Sequence, residues 1–216
     1  MKRTIAKASL QTALNLLFFT VIGTTLLAFT YSHTRDDIAR SEEQVRMNLI
    51  SQIVPQDMAD NDIIHDTLTI APNELLGTSE PALAYRARLK GKITAIVLPA
   101  IAPDGYGGAI DLILAIQRNG EIAGVRVVSH NETPGLGDYI DIKKSKWIKG
   151  FDGKSLEPGQ DADWQVKKDG GKFDYMAGAT ITPRAVVKAV HKALQYFAEN
   201  RDKLLAPSTS SGKQQG

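Results

Sequence analysis

Two short segments of the chain hold residue types at spacings that suit chemistry. The first is Asp174-Tyr-Met-Ala-Gly-Ala-Thr-Ile-Thr-Pro183, where the small residues Gly178 and Ala179 lead into the hydroxyl of Thr180. Thr182 fits a helix N-cap and Pro183 the first helical position, so a helix is predicted to begin here. A helix start offers free backbone N–H groups and a partial positive charge, which suits a phosphate. The plain alternative is a strand-to-helix turn with no further role, and on the local sequence alone that is the commoner case. The second segment is His130-Asn-Glu-Thr-Pro-Gly-Leu-Gly137. Its two glycines and proline make a rigid loop whose N–H groups are open to a ligand, or else an ordinary Pro-Gly turn. His130 and Glu132 stand two apart with no third ligand nearby, so a metal site is not expected.

Several chemistries find no support. The chain has no cysteine, which removes disulfides, thiolate zinc sites, iron–sulfur clusters and cysteine nucleophiles together. No Gly-x-Gly-x-x-Gly follows a strand pattern, so a Rossmann nucleotide domain is not supported. Of the four histidines, His33 and His65 lie outside both segments and His191 falls within the last helical pattern. No Ser–His–Asp or paired-carboxylate arrangement is apparent, which argues against a hydrolase. The net charge of +2 is unevenly spread: Lys2, Arg3, Lys7, Arg35 and Lys213 lie outside residues 36–206, leaving that part at −3. A folded part of that sign is a poor partner for nucleic acid.

The elements that must position the two segments follow from periodicity. At 216 residues the chain holds one ordinary domain plus an appendage. Tyr85 to Leu98 reads as two short alternating runs broken at Gly91. Ile110 to Arg118 and Ile122 to Val128 alternate on either side of Asn119-Gly120, a strong hairpin signal because both turn positions favour φ > 0. Asp169-Gly170-Gly171 predicts a second turn, between Trp164–Val166 and Phe173. Pro183 to Leu205 reads as a helix, with Val186, Val187, Val190, Leu194 and Phe197 on one face. Strands in the middle and helices at the ends imply an α+β domain around an antiparallel sheet.

Ahead of this domain, Ala8 to Thr34 contains no Asp, Glu, Lys or Arg. Its apolar core has the length of about 20 residues that a helix needs to cross a bilayer. A cleaved signal peptide has a shorter core and a small-x-small site, which Phe29-Thr-Tyr-Ser-His33 does not supply. The basic Lys2, Arg3 and Lys7 place the amino terminus in the cytoplasm and the rest outside it, in the periplasm of a bacterium. Tyr31 and His33 suit the membrane interface. Arg35 to Val54 reads as a stalk helix closed by Pro55, and Gln56 to Pro81 as loop with one short element. The expected organisation is 1–34 cytoplasmic end and membrane span, 35–81 stalk and loop, 82–206 folded domain, and 207–216 disordered tail.

In combination, Gly108 through the hairpin to Glu132-Thr-Pro-Gly-Leu-Gly137, followed by Asp174-x-x-Ala-Gly-Ala-Thr180, resembles the FMN-binding domain family. The resemblance implies FMN joined through its phosphate to a threonine. Thr180 matches the attachment position that ends the pattern Asp-x-x-Ser/Thr-Gly-Ala-Thr, and Gly178 and Ala179 match it too. Asp174 matches an acidic position similar to that read by a flavin transferase during maturation. Ala177 departs from the pattern by lacking a hydroxyl, and Thr182 is a second hydroxyl close by. Glu132, Thr133, Leu136 and Gly137 fall in the family's other loop and are implied to line the flavin. Trp147, Trp164 and Tyr175 are candidates to stack on its ring, with core packing as the alternative.

With the membrane span in front, the chain is similar to flavin-carrying subunits of the bacterial Rnf/Rsx ion-translocating electron-transport complex. The corresponding flavin-bearing component of the sodium-translocating NADH:quinone reductase is close kin, and the compact length favours the former. The implied role is electron transfer inside that complex, with its other membrane and peripheral subunits and the lipid bilayer as partners, and no turnover by the isolated chain. A span without ionisable residues holds no ion path, so translocation falls to those partners. The competing reading is a redox-silent, membrane-tethered scaffold.

Overall fold

A computed structural model describes residues 2–206 of the chain; the tail 207–216, expected to be disordered, lies outside the described residues. The chain forms two compact units, Met1–Arg46 and Met47–Gly216. The described part of the first lies within helix α1 (Lys2–Ile53). Its Ser9–Arg35 stretch is long and apolar enough to cross a membrane, by length and composition. At about 1.5 Å per residue it spans roughly 40 Å, more than the ~30 Å hydrocarbon core. Side chains such as Phe19 and Leu27 are exposed along it. The hydroxyls of Thr20 and Thr30 donate to the carbonyls of Leu16 and Leu26, at 2.8 and 2.9 Å. Those internal bonds let polar residues sit in an apolar span without an unmet donor.

The second unit is built on a five-stranded sheet: β1 (Thr67–Ile70), β2 (Ala82–Leu89), β3 (Lys92–Ala102), β4 (Ile110–Gln117) and β5 (Ile122–Ser129). Its strands lie in chain order and every neighbouring pair is antiparallel. Strand β1 comes from the stretch expected to hold loop and one short element, and that element joins the sheet. Helix α2 (Ile181–Glu199) and the short α3 (Arg201–Leu204) close the chain; the expected single helix breaks at Asn200.

Both faces of the sheet are covered, which is why β4 reads as an almost unbroken apolar run. On one face Leu98, Leu112, Leu114 and Ile116 pack with Val186, Val190 and Phe197 of α2. On the other, Ala95, Val97, Ile113 and Ala115 meet Leu49, Ile50 and Ile53 at the end of α1. Small residues let that helix end approach closely: a Cβ at Gly124 would lie 2.9 Å from Ile53 Cγ2. Buried Arg126 fixes the same contact, donating to the Gln52 side chain at 3.0 Å and to its carbonyl at 3.3 Å.

Two turns depart from expectation in detail. Asn119-Gly120 does connect β4 to β5, but only Gly120 has positive φ (97°), with Gly120 N–H donating to Gln117 O and Glu121 N–H to Asn119 Oδ1. The wider loop needs one left-handed residue, not two. The two-residue turn with both φ positive is Lys90-Gly91, at 51° and 76°, and it joins β2 to β3 directly.

Candidate functional site

After β5 the chain leaves the sheet and forms 3-10 turns at Gly137–Ile140, Trp147–Phe151, Asp161–Asp163 and Lys167–Asp169 before α2 begins. These turns are fastened by an aromatic cluster. Phe151 is fully buried and touches Trp147, Trp164 and Phe173 at centroid distances of 5.5, 6.4 and 4.7 Å. The loop containing Glu132 is thereby brought against the start of α2. Between them lies a cleft of about 270 Å³, lined by Glu132, Thr133, Leu136, Gly137, Gly178, Ala179, Thr180 and Thr182 together with Tyr106 and Ile181.

Glu132 is the centre of this arrangement. It is 4% exposed, accepts the Gly107 N–H on Oε1 at 3.0 Å and accepts the Thr182 hydroxyl on Oε2. One carboxylate thus ties the Gly105–Gly108 turn, its own loop and the first turn of α2. The glycines around it are required by space. A Cβ at Gly137 would lie 2.6 Å from Glu132 Oε2, and one at Gly105 would lie 2.8 Å from Oε1. His130 Nδ1 accepts the Glu132 N–H at 3.1 Å, so the histidine shapes the loop. Asp138 Oδ1 accepts the Gly135 N–H at 2.8 Å and steadies the Pro-Gly turn.

The expectation that Thr182 caps α2 is overturned. The helix starts two residues earlier, with Thr180 at the N-cap position and Ile181 as its first residue. Thr182 lies inside the first turn, 1% exposed, because its hydroxyl serves Glu132. Pro183 is then the third helical residue, where its missing N–H still costs nothing because no carbonyl four residues back belongs to the helix. Thr180 is half-buried in the cleft wall, its side chain making no capping bond. The preceding residues turn sharply, with Ala179 N–H donating to Met176 O at 3.1 Å and Gly178 at φ 88°.

Asp174 stands apart from the cleft lining. It is exposed and ion-paired with Lys167, while its carbonyl accepts Trp147 Nε1–H at 2.7 Å. Met176 N–H donates to the Tyr139 hydroxyl oxygen at 3.3 Å, and burial pushes that phenol up from its usual range while this bond lowers it. None of Trp147, Trp164 and Tyr175 lines the cleft; the tryptophans pack within the aromatic cluster. The aromatic at the cleft is Tyr106, 70% exposed, which sequence reasoning missed. Its signal was the Asp104-Gly-Tyr-Gly-Gly108 turn, where an aromatic among glycines has no core to enter. Ile181 was missed because the helix was started two residues too late.

A half-open apolar cleft at a helix start, with a threonine hydroxyl in its wall, defines a small-ligand-binding domain. Residues 105–195 match the family described as FMN-binding domain, and residues 1–53 match the RnfG N-terminal region. Over 95% of its length the chain is 48% identical to the RnfG-type subunit of the ion-translocating oxidoreductase complex of Pseudomonas aeruginosa strain PAO1, covering 96% of that protein. It is similarly 47% identical over 95% of its length to the subunit of the same name from Shewanella loihica, and 42% to that from Aliivibrio fischeri strain MJ11, covering 95% and 96% of them. The chain belongs to the RnfG family of ion-translocating oxidoreductase complex subunits.

Proposed function

We propose that the chain carries FMN as a phosphoester on the Thr180 hydroxyl and transfers electrons within a membrane complex that couples their flow to ion translocation. The observation that carries this reading is the charge of the cleft. Its lining holds Thr180 and the start of α2 but no Lys or Arg, and its one ionisable acid is the buried Glu132. A reversibly held phosphate monoester is close to a dianion and is normally gripped by cationic side chains. Here it would face a carboxylate instead. Esterification to Thr180 leaves the phosphate a single negative charge, which the free N–H groups of Ile181 and Thr182 suit.

When bound, the isoalloxazine ring supplies reversible uptake and release of electrons. The chain's own residues then bind and orient. Thr180 is the tether, Gly178 and Ala179 leave room beside it, and Leu136, Tyr106 and Ile181 offer apolar surface to the ring. Glu132 keeps the three loops in register and Thr133 and Gly137 complete the wall. Exposed Asp174, on the segment leading to Thr180, is presented to a flavin transferase. The inferred organisation is a cytoplasmic end and span over 1–34, a stalk and loop over 35–81 whose β1 joins the sheet, and an FMN-binding domain over 82–206. Lys2, Arg3 and Lys7 support a cytoplasmic amino terminus and a periplasmic domain. Electrons come from and go to other subunits, so the isolated chain has no turnover of its own.

The test is Thr180→Ala, expressed in the native membrane with the transferase present. In-gel flavin fluorescence of the chain is expected to vanish. Persistence of the fluorescent band would refute Thr180 as the tether, and Thr182, its hydroxyl buried against Glu132, is a poor substitute acceptor.

A further inference from the structure

The strongest local charge on the second unit is a run that the cleft does not use. Lys143, Lys144, Lys146 and Lys149 put four positive charges on seven residues, while residues 36–206 as a whole carry −3, so the remainder of that part carries −7. All four are exposed. Lys144 reaches Asp138 at 3.6 Å; Lys143, Lys146 and Lys149 make no salt bridge within 4 Å among the described residues. Elsewhere on the surface lysines are paired, Lys172 with Asp163 and Lys188 with Asp104. Three unpaired like charges held together repel one another, and they lower stability until an opposite charge arrives.

The run is fixed against the cleft at two points. Asp138, which Lys144 reaches, directly follows Gly137 of the cleft wall. Trp147, within the run, donates to the Asp174 carbonyl at 2.7 Å, at the head of the segment that ends in Thr180. Beside these points the cleft rim exposes apolar side chains: Tyr106 at 70%, Ile181 at 48%, Leu136 at 47% and Met176 at 40%. An apolar rim flanked by unpaired lysines has the composition of a small transient interface, where charge steers the encounter and a little apolar contact holds it.

We propose that residues 143–149, with the adjoining cleft rim, form the docking surface for an acidic face of the protein that exchanges electrons with this chain. The proposal rests on the flavin reading of the cleft. A protein patch fits better than an anionic lipid plane. A plane would also meet the −7 carried by the rest of the domain, whereas a compact acidic patch meets only the lysines.

The test uses full-length flavinylated chain and the remainder of the complex, prepared from cells lacking this chain. The chain is reduced with dithionite, freed of excess reductant, and mixed with the remaining subunits at 25 to 300 mM KCl. Flavin absorbance reports electrons leaving the chain for its partner. For the unaltered chain the second-order rate should fall at least ~10-fold across that salt range, as expected for a steered encounter. Lys143→Glu/Lys146→Glu/Lys149→Glu should retain flavin and fluorescence, react at least ~10-fold more slowly at low salt, and lose most of the salt dependence. A control reversing Lys90, Lys92 and Lys203 should behave as the unaltered chain. A variant rate within about twofold of the unaltered one, with the same salt slope, would overturn the proposal. So would a variant defective only in binding phosphatidylglycerol vesicles, or only in acquiring flavin, since either assigns the lysines to another partner. An unaltered chain that shows no flavin signal refutes the flavin reading rather than the docking surface.

Discussion

Glu132 and Thr182 give the sharpest test of how the cleft is held. Both are almost fully buried and bonded to each other, while the other carboxylate oxygen takes the Gly107 N–H. A hydrogen bond to a charged acceptor contributes about 1.5–3 kcal/mol. Glu132→Ala breaks two. The Gly107 N–H lies on an exposed turn and regains water, but the Thr182 hydroxyl does not, and the lost burial cost of the charge offsets part of the damage. The expected loss is about 3 kcal/mol. Thr182→Val keeps the shape and removes one donor from a buried carboxylate, for about 2 kcal/mol. Because the pair acts through one bond, the double variant should fall short of additivity by about 1.5–2 kcal/mol. Urea unfolding of the full chain in detergent, followed by tryptophan fluorescence, measures this. Both reporters, Trp147 and Trp164, sit in the aromatic cluster beside the cleft. A coupling energy below about 0.5 kcal/mol, or a neutral Thr182→Val, would refute the claim that this bond fastens the helix start to the loop.

Three further outcomes follow from the same geometry. Gly137→Ala drives a methyl onto Glu132 Oε2 and Thr182 Oγ1, at 2.6 and 2.9 Å, so it should cost about 1–3 kcal/mol and lower flavin content measured by fluorescence per chain. Phe151→Ala empties the middle of the aromatic cluster and should cost about 3–5 kcal/mol by urea unfolding, with flavin content falling alongside. Arg184 bonds both oxygens of Asp169 and holds its carboxyl below the usual range. A folded value below the unfolded one gives stability that is present above the ordinary aspartate range and lost as pH falls through the depressed value. Asp169→Asn should therefore flatten the acid limb of a stability–pH profile and leave neutral stability little changed; an unaltered acid limb would show the pair to be without effect.

Much of the fold could be read from periodicity, because sheet and helix faces impose it. The alternation in 110–118 and 122–128 matches β4 and β5, and the apolar stripe from Val186 to Phe197 matches α2. What escaped was set by contacts distant in sequence. Thr182 looks like a cap because Thr-Pro is a good local helix start, yet its hydroxyl is claimed by Glu132, fifty residues earlier. Strand β1 is only four residues long and gains its pairing from β2, so no local pattern marks it. Asn119-Gly120 and Lys90-Gly91 exchanged their expected turn geometries. Strand register from Leu89 to Lys92 leaves two residues for the latter, and lysine accepts a left-handed backbone there. Tyr106 carries no periodicity at all and is recognisable only once the cleft is formed. The loop residues Glu132, Thr133, Leu136 and Gly137 came together with Gly178, Ala179 and Thr180 as the motif order suggested, while Asp174 lies outside the lining.

The central claim is a covalent bond at one atom, and peptide mass spectrometry of the chain purified from cells that hold the transferase tests it directly. The peptide containing Thr180 should carry the mass of FMN less one water, with fragmentation placing it on Thr180. An unmodified Thr180 peptide as the sole form, or the same increment on Thr182, would contradict the account.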